Sequence, residues 1–345
     1  MHTVHSDGMA THEEIAEKAN KAGLDFVIVT DHNVHVPEAE GHYDKVLLLV
    51  GEEVHDRYRV PESSHLLVFG AGCTMVQHAH DPQHLIDMVD EAGGICFLAH
   101  PYEHSAAYSG EPDINWRDWH VQNYTGLELW NTMSEFKSHV PNLLQALIMV
   151  FFPDAGLRGP HRETLTKWDK LLSLGKRVAV IGGPDAHGTI YRKGPLVRPV
   201  LSYDWLFQAV RVHILCEQPL NGDRTDDAAL ILDALQNGKA FISYDWIGDT
   251  TGFRFAATDE TGQLAITGDG LHLLGSATLS IVSPQPAHLR LIRNGKIVAE
   301  ADGDTLEYTA DSPGAYRVEA YKRHWFRKRG WIFTNPIYIS DDSSS

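Results

Sequence analysis

The chain has 345 residues, of which 43% are hydrophobic and 22% charged, the balance of a globular protein able to bury a large core. Its formal net charge of −17 argues against a nucleic-acid polymer as ligand, because a phosphate backbone needs a basic track. No run is long and apolar enough for a membrane span, and no signal-peptide pattern opens the sequence.

In chain order, Thr11-His12-Glu13-Glu14 is a capping box, and Ile15, Ala16, Ala19 and Ala22 follow on one helical face. Short apolar runs then predict strands at Phe26–Val29, Val46–Val50, Leu66–Phe69, Ile95–Leu98, 127–129 and 178–181. Asp81-Pro82 reads as an N-cap with proline at the first helical position, and Gly93-Gly94 ends that helix. Strands alternating with helices predict parallel βα units. A helix near 228–236 and a strand near 240–243 close this part. From about residue 250 the helical period disappears. Strands are expected at 253–256, 277–282, 289–293, 297–299, 316–321 and 331–333, with turns at Asn294-Gly295 and Ser312-Pro313-Gly314. The expected organisation is an α/β catalytic part over 1–248, a small all-β sandwich over 249–340, and a disordered tail over 341–345.

The cysteines Cys73, Cys96 and Cys216 form no CxxC pair and are odd in number. They are expected to be reduced core residues, which points to the cytoplasm. The 21 histidines are more informative, because they gather at the ends of apolar runs. Strand 26–29 leads into Thr30-Asp31-His32-Asn33, and 46–50 into Gly51-Glu52-Glu53. Strand 95–98 leads into Ala99-His100-Pro101, 127–129 into Trp130-Asn131, and 178–181 into Gly182-Gly183-Pro184-Asp185-Ala186-His187-Gly188. In a parallel barrel these C-terminal strand ends open onto one face, where barrel enzymes build their sites. His and carboxylate ligands without thiolate suit Zn, Mn or Fe. Ions held this way make water a nucleophile at neutral pH and neutralise substrate oxygens. No GxSxG or HExxH motif offers another route.

His2-Thr3-Val4-His5-Ser6-Asp7-Gly8, Thr30-Asp31-His32-Asn33, Gly51-Glu52-Glu53, His65-Leu66-Leu67, Ala99-His100-Pro101 and Asp185-Ala186-His187-Gly188 resemble the ordered motifs of the PHP (polymerase and histidinol phosphatase) superfamily, over roughly residues 1–245. Trp168-Asp169, Ile292-Arg293-Asn294-Gly295-Lys296 and Thr334-Asn335-Pro336-Ile337-Tyr338 resemble its CehA/McbA-like branch. The resemblance implies a distorted (β/α)7 barrel, followed here by the β-sandwich, and two or three divalent metal ions.

By that resemblance His2, Glu53 and Asp185 bind a first ion, and Glu53 bridges to a second held by His65 and His100. Asp7, His32 and His187 surround a third. Glu53, Asp185 and His187 are the expected catalytic residues. Glu52 is expected to point away, since side chains alternate along a strand. The family's first motif is H-x-H, and its spacing makes His2 the second histidine, so the first is expected before Met1. His5 then takes the variable position before Ser6-Asp7-Gly8. Asp31 and Glu128 are expected to support ligands rather than bind metal.

Arg192, Arg158 and Arg162 are candidate clamps for an anionic substrate group, since guanidinium matches phosphate or carboxylate bidentately. His35, His55, Tyr102 and His104 follow the polar motifs closely and are candidate mouth residues, with solvated loop positions as the alternative. His78, His80 and His84 read as a polar loop, and Trp116, Trp119 and Trp130 as core or lid packing. The basic run Lys322-Arg323-His324 and Arg327-Lys328-Arg329 around Trp325-Phe326 reads as an exposed hairpin, with an acidic partner or membrane headgroups as the functional alternative. The expected function is hydrolysis of a small phosphoester. A carboxylic ester or carbamate is the alternative, since the CehA-like branch includes carbaryl hydrolase, and a degenerate metal-binding scaffold is a third.

Overall fold

The computed structural model describes residues 1–105, 110, 112–140, 142–193, 196–273 and 275–341. Of the expected disordered tail, residues 342–345 lie outside the described residues. The chain is a mixed α/β protein. Helix α1 (His12–Lys21) begins at its capping box, with the Thr11 side chain accepting from the Glu14 N–H and Glu14 answering to the Thr11 N–H. It buries Ile15, Ala16 and Ala19. Strand β1 (Phe26–Val29), the short β2 (Gly41–Tyr43) and the wholly buried β3 (Val46–Val50) form a small sheet in which β1 and β3 run parallel.

A five-stranded sheet follows, ordered β4 (Glu52–Val54), β5 (Leu66–Phe69), β6 (Ile95–Leu98), β7 (Gly126–Asn131) and β8 (Ala179–Gly183). Helix α2 (Pro82–Glu91) sits between β5 and β6, and α3 (Thr132–Ser138), α4 (Leu143–Phe151) and α5 (Arg162–Ser173) between β7 and β8. Asp81 caps α2 through the N–H groups of Gln83 and His84.

The expectation of parallel units throughout is corrected here. β6, β7 and β8 are parallel, but β5 runs antiparallel to both β4 and β6. The described segment between β4 and β5 contains no helix to make a parallel crossover, so the chain doubles back. Because β5 is reversed, His65 reaches the site from the N-terminal end of its strand.

The hairpin β9 (Ile190–Lys193) and β10 (Leu196–Pro199), then α6 (Tyr203–Leu206), β11 (Val210–Ile214), α7 (Arg224–Gln236) and β12 (Ala240–Tyr244) complete the first part. The remainder is β13 (Arg254–Asp259), β14 (Leu264–Ile266), β15 (Gly270–His272), β16 (Ala277–Arg293), β17 (Lys296–Ala310), β18 (Gly314–His324), β19 (Arg327–Thr334) and β20 (Ile337–Ser340). Asn294 and Gly295 make the β16–β17 turn with φ of 48° and 79°, the left-handed pair that a tight hairpin demands.

Hydrogen bonding does not stop near residue 248. β11 and β12 join β19, β18, β16, β13 and β14 in one ten-stranded sheet. Asn335 carries the connection inward, accepting from the Val180 N–H and donating to the carbonyls of Val180 and Ala240. Asp169 binds the buried Arg317 guanidinium through both oxygens, at 2.8 and 2.9 Å. Phe333 and Ala315 share a core cluster with Trp130, Trp168 and Val180.

The cysteines are also corrected in part. Cys96 is buried, whereas Cys73 is exposed and Cys216 half-buried. Among the described residues no helix is long and apolar enough to cross a membrane.

Candidate metal centre

The N-terminal segment lies across the top of the first part. The Thr30 N–H donates to the Met1 carbonyl, and the His2 N–H donates to the Ala186 carbonyl. His2 is thereby pinned between the loops that follow β1 and β8. Asp31 shapes the loop that presents Asp7, accepting from the Thr3 N–H at 2.7 Å and from Thr3 Oγ1 and Ser6 Oγ at 2.6 Å each. Gly8 is required there, since a Cβ would stand 2.2 Å from the His2 carbonyl oxygen.

His32 follows β1, Glu53 lies in β4, His65 precedes β5, His100 follows β6, and Asp185 and His187 follow β8. His100 and Asp185 both adopt left-handed backbone, with φ of 27° and 47°. Strain of this kind concentrates at functional sites, where the surroundings over-determine it. The His100 N–H donates to the buried Glu128 carboxylate at 2.7 Å, one of the bonds that hold that backbone.

The side chains converge in three overlapping groups. His2, Glu53 and Asp185 form one, Glu53, His65 and His100 a second, and His2, Asp7, His32 and His187 a third. Within each group a ligand-capable atom from every member lies within 4.8 Å of the others. Glu53 divides its two oxygens. Oε2 faces His2 Nε2 at 3.3 Å, while Oε1 faces His65 Nδ1 at 2.7 Å and His100 Nε2 at 3.2 Å. Asp185 Oδ1 meets His2 Nε2 at 3.0 Å, and Asp7 Oδ2 meets His187 Nε2 at 3.3 Å. The His2 ring stacks between His32 and His187, each centroid 4.3 Å away.

Two observations fit this set to divalent cations. Buried imidazole nitrogens of His2, His32, His55, His65 and His100 have no hydrogen-bond partner, although a buried polar atom ordinarily finds one. Glu53 is almost completely enclosed, and Asp185 lies mostly inside as well. Two such carboxylates this close need cations nearby.

In the metal-free protein the histidines supply that charge. Burial pushes His2 down, but its bonds to Asp185 and Glu53 outweigh burial and lift it to about 9. His100 is lifted to about 10 in the same way, chiefly by Glu53. Burial leaves His32 at about 4. Glu53 and Asp185 lie well below the carboxylate range, because the surrounding histidines outweigh their burial. Asp7, half-exposed and facing His187, falls to about 2 despite some burial. Burial raises Glu128 to about 7.

Of the other residues singled out from sequence, Glu52 turns away to accept from Thr74 Oγ1 and the Met75 N–H. His35 lies near Glu52 rather than Glu53. Tyr102 stacks on Trp119 at 5.5 Å. His5 is exposed beside His12. His78 and His84 touch edge-on away from the cluster.

The structure does not bring the arginines to the cluster. Arg192 is exposed on β9, opposite Val197 in the hairpin register, and Arg162 is exposed at the start of α5. Arg158 is exposed, with Arg327 and Arg329 near it. None of the three forms a hydrogen bond or ion pair with the clustered residues among the described residues.

His55, expected at the mouth or in a solvated loop, is instead buried in the cluster, and Asn131 was not identified as a site residue from sequence. His55 stacks on His65 at 4.3 Å and groups with His32 and His65. The signal was present, since His55 stands two residues beyond Glu53 and strand alternation puts both on one face. Asn131, at the end of β7, donates to both Glu128 and Asp185.

No protein-family model matches the chain, and no curated protein does. Among solved structures, a putative metal-dependent phosphoesterase from Bifidobacterium adolescentis aligns over 57% of this chain and 90% of its own, at 16% identity and a TM-score of 0.31. A score of that size assigns nothing, so function is argued from the site.

Proposed function

We propose that the protein is a PHP-type metal-dependent hydrolase, with a distorted barrel over 1–248, a β-sandwich over 249–340, and a small phosphoester as substrate. The observation that carries this reading is the divided Glu53 carboxylate, one oxygen toward His2 and the other toward His65 and His100, amid buried imidazole nitrogens that lack partners. His2, Glu53 and Asp185 would hold one ion, Glu53, His65 and His100 a second, and Asp7, His32 and His187 a third. Zn, Mn and Fe all suit these donors. Such ions, when bound, supply a nucleophilic water at neutral pH and neutralise charge on the substrate.

The chain's own residues set where the reaction occurs. His2, Glu53, His65 and His100 form a buried floor, whereas Asp7, His32, Asp185 and His187 retain solvent contact. Substrate therefore approaches over the second group. His187 Nδ1 lies 2.8 Å from the Asp185 carbonyl, an oxygen that can only accept, so Nδ1 donates to it, and Nε2 stands 3.3 Å from Asp7 Oδ2. Nε2 faces the open side, placed to bind an ion or to exchange a proton with the reacting oxygens. Glu128 accepts from the His100 N–H within its strained backbone, and Asn131 donates to the Asp185 carboxylate.

The position of the arginines favours the second reading, a carboxylic ester or carbamate. With Arg158, Arg162 and Arg192 away from the cluster, none of the three arginines expected to clamp an anionic substrate stands at it. Assaying metal-reconstituted protein on phosphomonoesters, phosphodiesters and neutral aryl esters separates the two. Faster cleavage of phosphoesters supports the proposal, and faster cleavage of neutral esters transfers it to the alternative.

A further inference from the structure

Helix α4 and the tip of the β18–β19 hairpin form a surface the hydrolase reading does not use. In α4 only Ala146 and Met149 are buried. Leu144 is 68% exposed, and Ile148, Phe151 and Phe152 are also exposed. Their spacing of three and four residues puts Leu144, Ile148 and Phe151 on one helical face. The hairpin tip is fixed against the end of this helix. Asp154 Oδ2 receives Trp325 Nε1 at 2.7 Å and lies 3.1 Å from His324 Nε2, and the Phe152 and Trp325 rings are 6.4 Å apart.

The turn itself is unusual. His324 and Arg327 pair across it, and Trp325 and Phe326 take the two central positions with φ of 49° and 64°. Such turns favour Asn-Gly, which this chain uses at Asn294-Gly295. Aromatic side chains in left-handed backbone are strained. Here they also leave Phe326 96% exposed and Trp325 58% exposed. Trp325 is held by Asp154 and Phe152, but neither core packing nor turn chemistry explains Phe326.

Around the apolar tip stand exposed Arg323, Arg327 and Lys328, with Arg158 near Arg327 and Arg198 over the Phe151 ring. None of these five makes an ion pair with a carboxylate among the described residues, although Asp302 and Glu300 lie near Lys328. In a chain of net charge −17 this is a local cationic rim around an apolar centre. Aromatic side chains settle at the boundary between headgroups and acyl chains, and arginine and lysine reach the anionic headgroups from there.

We propose that this surface docks the protein onto an anionic lipid bilayer, with Phe326, Trp325 and the outer face of α4 entering the interfacial layer. Since α4 follows β7 and β9–β10 follows β8, docking presents to the lipid the same end of the sheet that carries Asp185 and His187. The inference stands apart from the hydrolase reading, because it is tested by binding alone.

The test is co-sedimentation of the full chain with phosphatidylcholine vesicles and with mixed phosphatidylcholine–phosphatidylserine vesicles. Binding is expected only to the mixed vesicles and weakens as salt rises. Phe326→Ser should lower affinity about tenfold through lost apolar burial. Lys328→Glu should lower it at least about fivefold through the lost cation. Both side chains are exposed, so the melting temperature of each variant should match wild type. Failure to bind the mixed vesicles overturns the proposal, as does binding that both variants leave unchanged. Self-association in light scattering that Phe326→Ser abolishes, without vesicle binding, overturns it in favour of a second copy of the chain.

Discussion

Glu53 and His65 meet at 2.7 Å through Oε1 and Nδ1, and the contact depends on β5 running backwards. Were β5 parallel to β4, residue 65 would lie at the far end of the sheet from Glu53. The reversed strand carries His65 to the end where Glu53 and His100 stand, which leaves the other Glu53 oxygen for His2.

The raised histidines make metal uptake pH-dependent. His2 at about 9 and His100 at about 10 are protonated at neutral pH in the metal-free protein, but a ligating imidazole must be neutral. Ions must therefore displace protons. Affinity should rise with pH until both rings have lost their protons, at about 10, and fall below that by as much as about tenfold per unit for each proton displaced. Calorimetry in buffers of different ionisation enthalpy measures the release directly. Affinity independent of pH between about 6 and 9 would show that these two rings are not ligands.

Arg192→Ala should change kcat/KM on the best substrate by less than about twofold. The side chain is exposed on β9 and forms no bond to the clustered residues. A loss of about tenfold or more, roughly 1.4 kcal/mol, confined to anionic substrates, would show that the β9–β10 hairpin closes over the site and restore this arginine as a clamp.

Asp169→Ala should destabilise the whole protein by about 3–5 kcal/mol, the usual cost of leaving one half of a buried pair uncompensated. Arg317 is buried, bonded to Asp169 through two nitrogens and to Glu319 through the third. Replacing Arg317 by Met removes the buried charge as well as the pair and should cost less. Thermal melts of the two variants check the order, and a milder effect for Asp169→Ala would contradict it.

Strands such as β1, β3, β5 and β6 were legible because each apolar run has its own punctuation, and the Thr11 capping box and the Asp81 cap marked the starts of α1 and α2 to the residue. Strand direction was not. Periodicity places an apolar run in a sheet but says nothing about which way it runs, so β5 was expected parallel. The clustered His, Asp and Glu residues were legible where polar residues interrupt strand ends. His55 was read as a mouth or loop residue because it sits one alternation beyond Glu53, past the end of the apolar pattern. The arginines were chosen by closeness in sequence to Asp185, which does not fix where a hairpin side chain points. The continuous sheet through β12 and β19 was hidden because residues more than 80 apart leave no local mark of their pairing.

The most direct test is metal titration of stripped protein, comparing wild type with Glu53→Gln and His100→Ala. If Glu53 spans two ion positions, wild type takes up at least two ions, and His100→Ala weakens one of them. Glu53→Gln weakens both, and activity is lost in step. Wild-type protein that binds no Zn, Mn or Fe, or a Glu53→Gln variant that binds as many ions as wild type with equal affinity, would contradict the account.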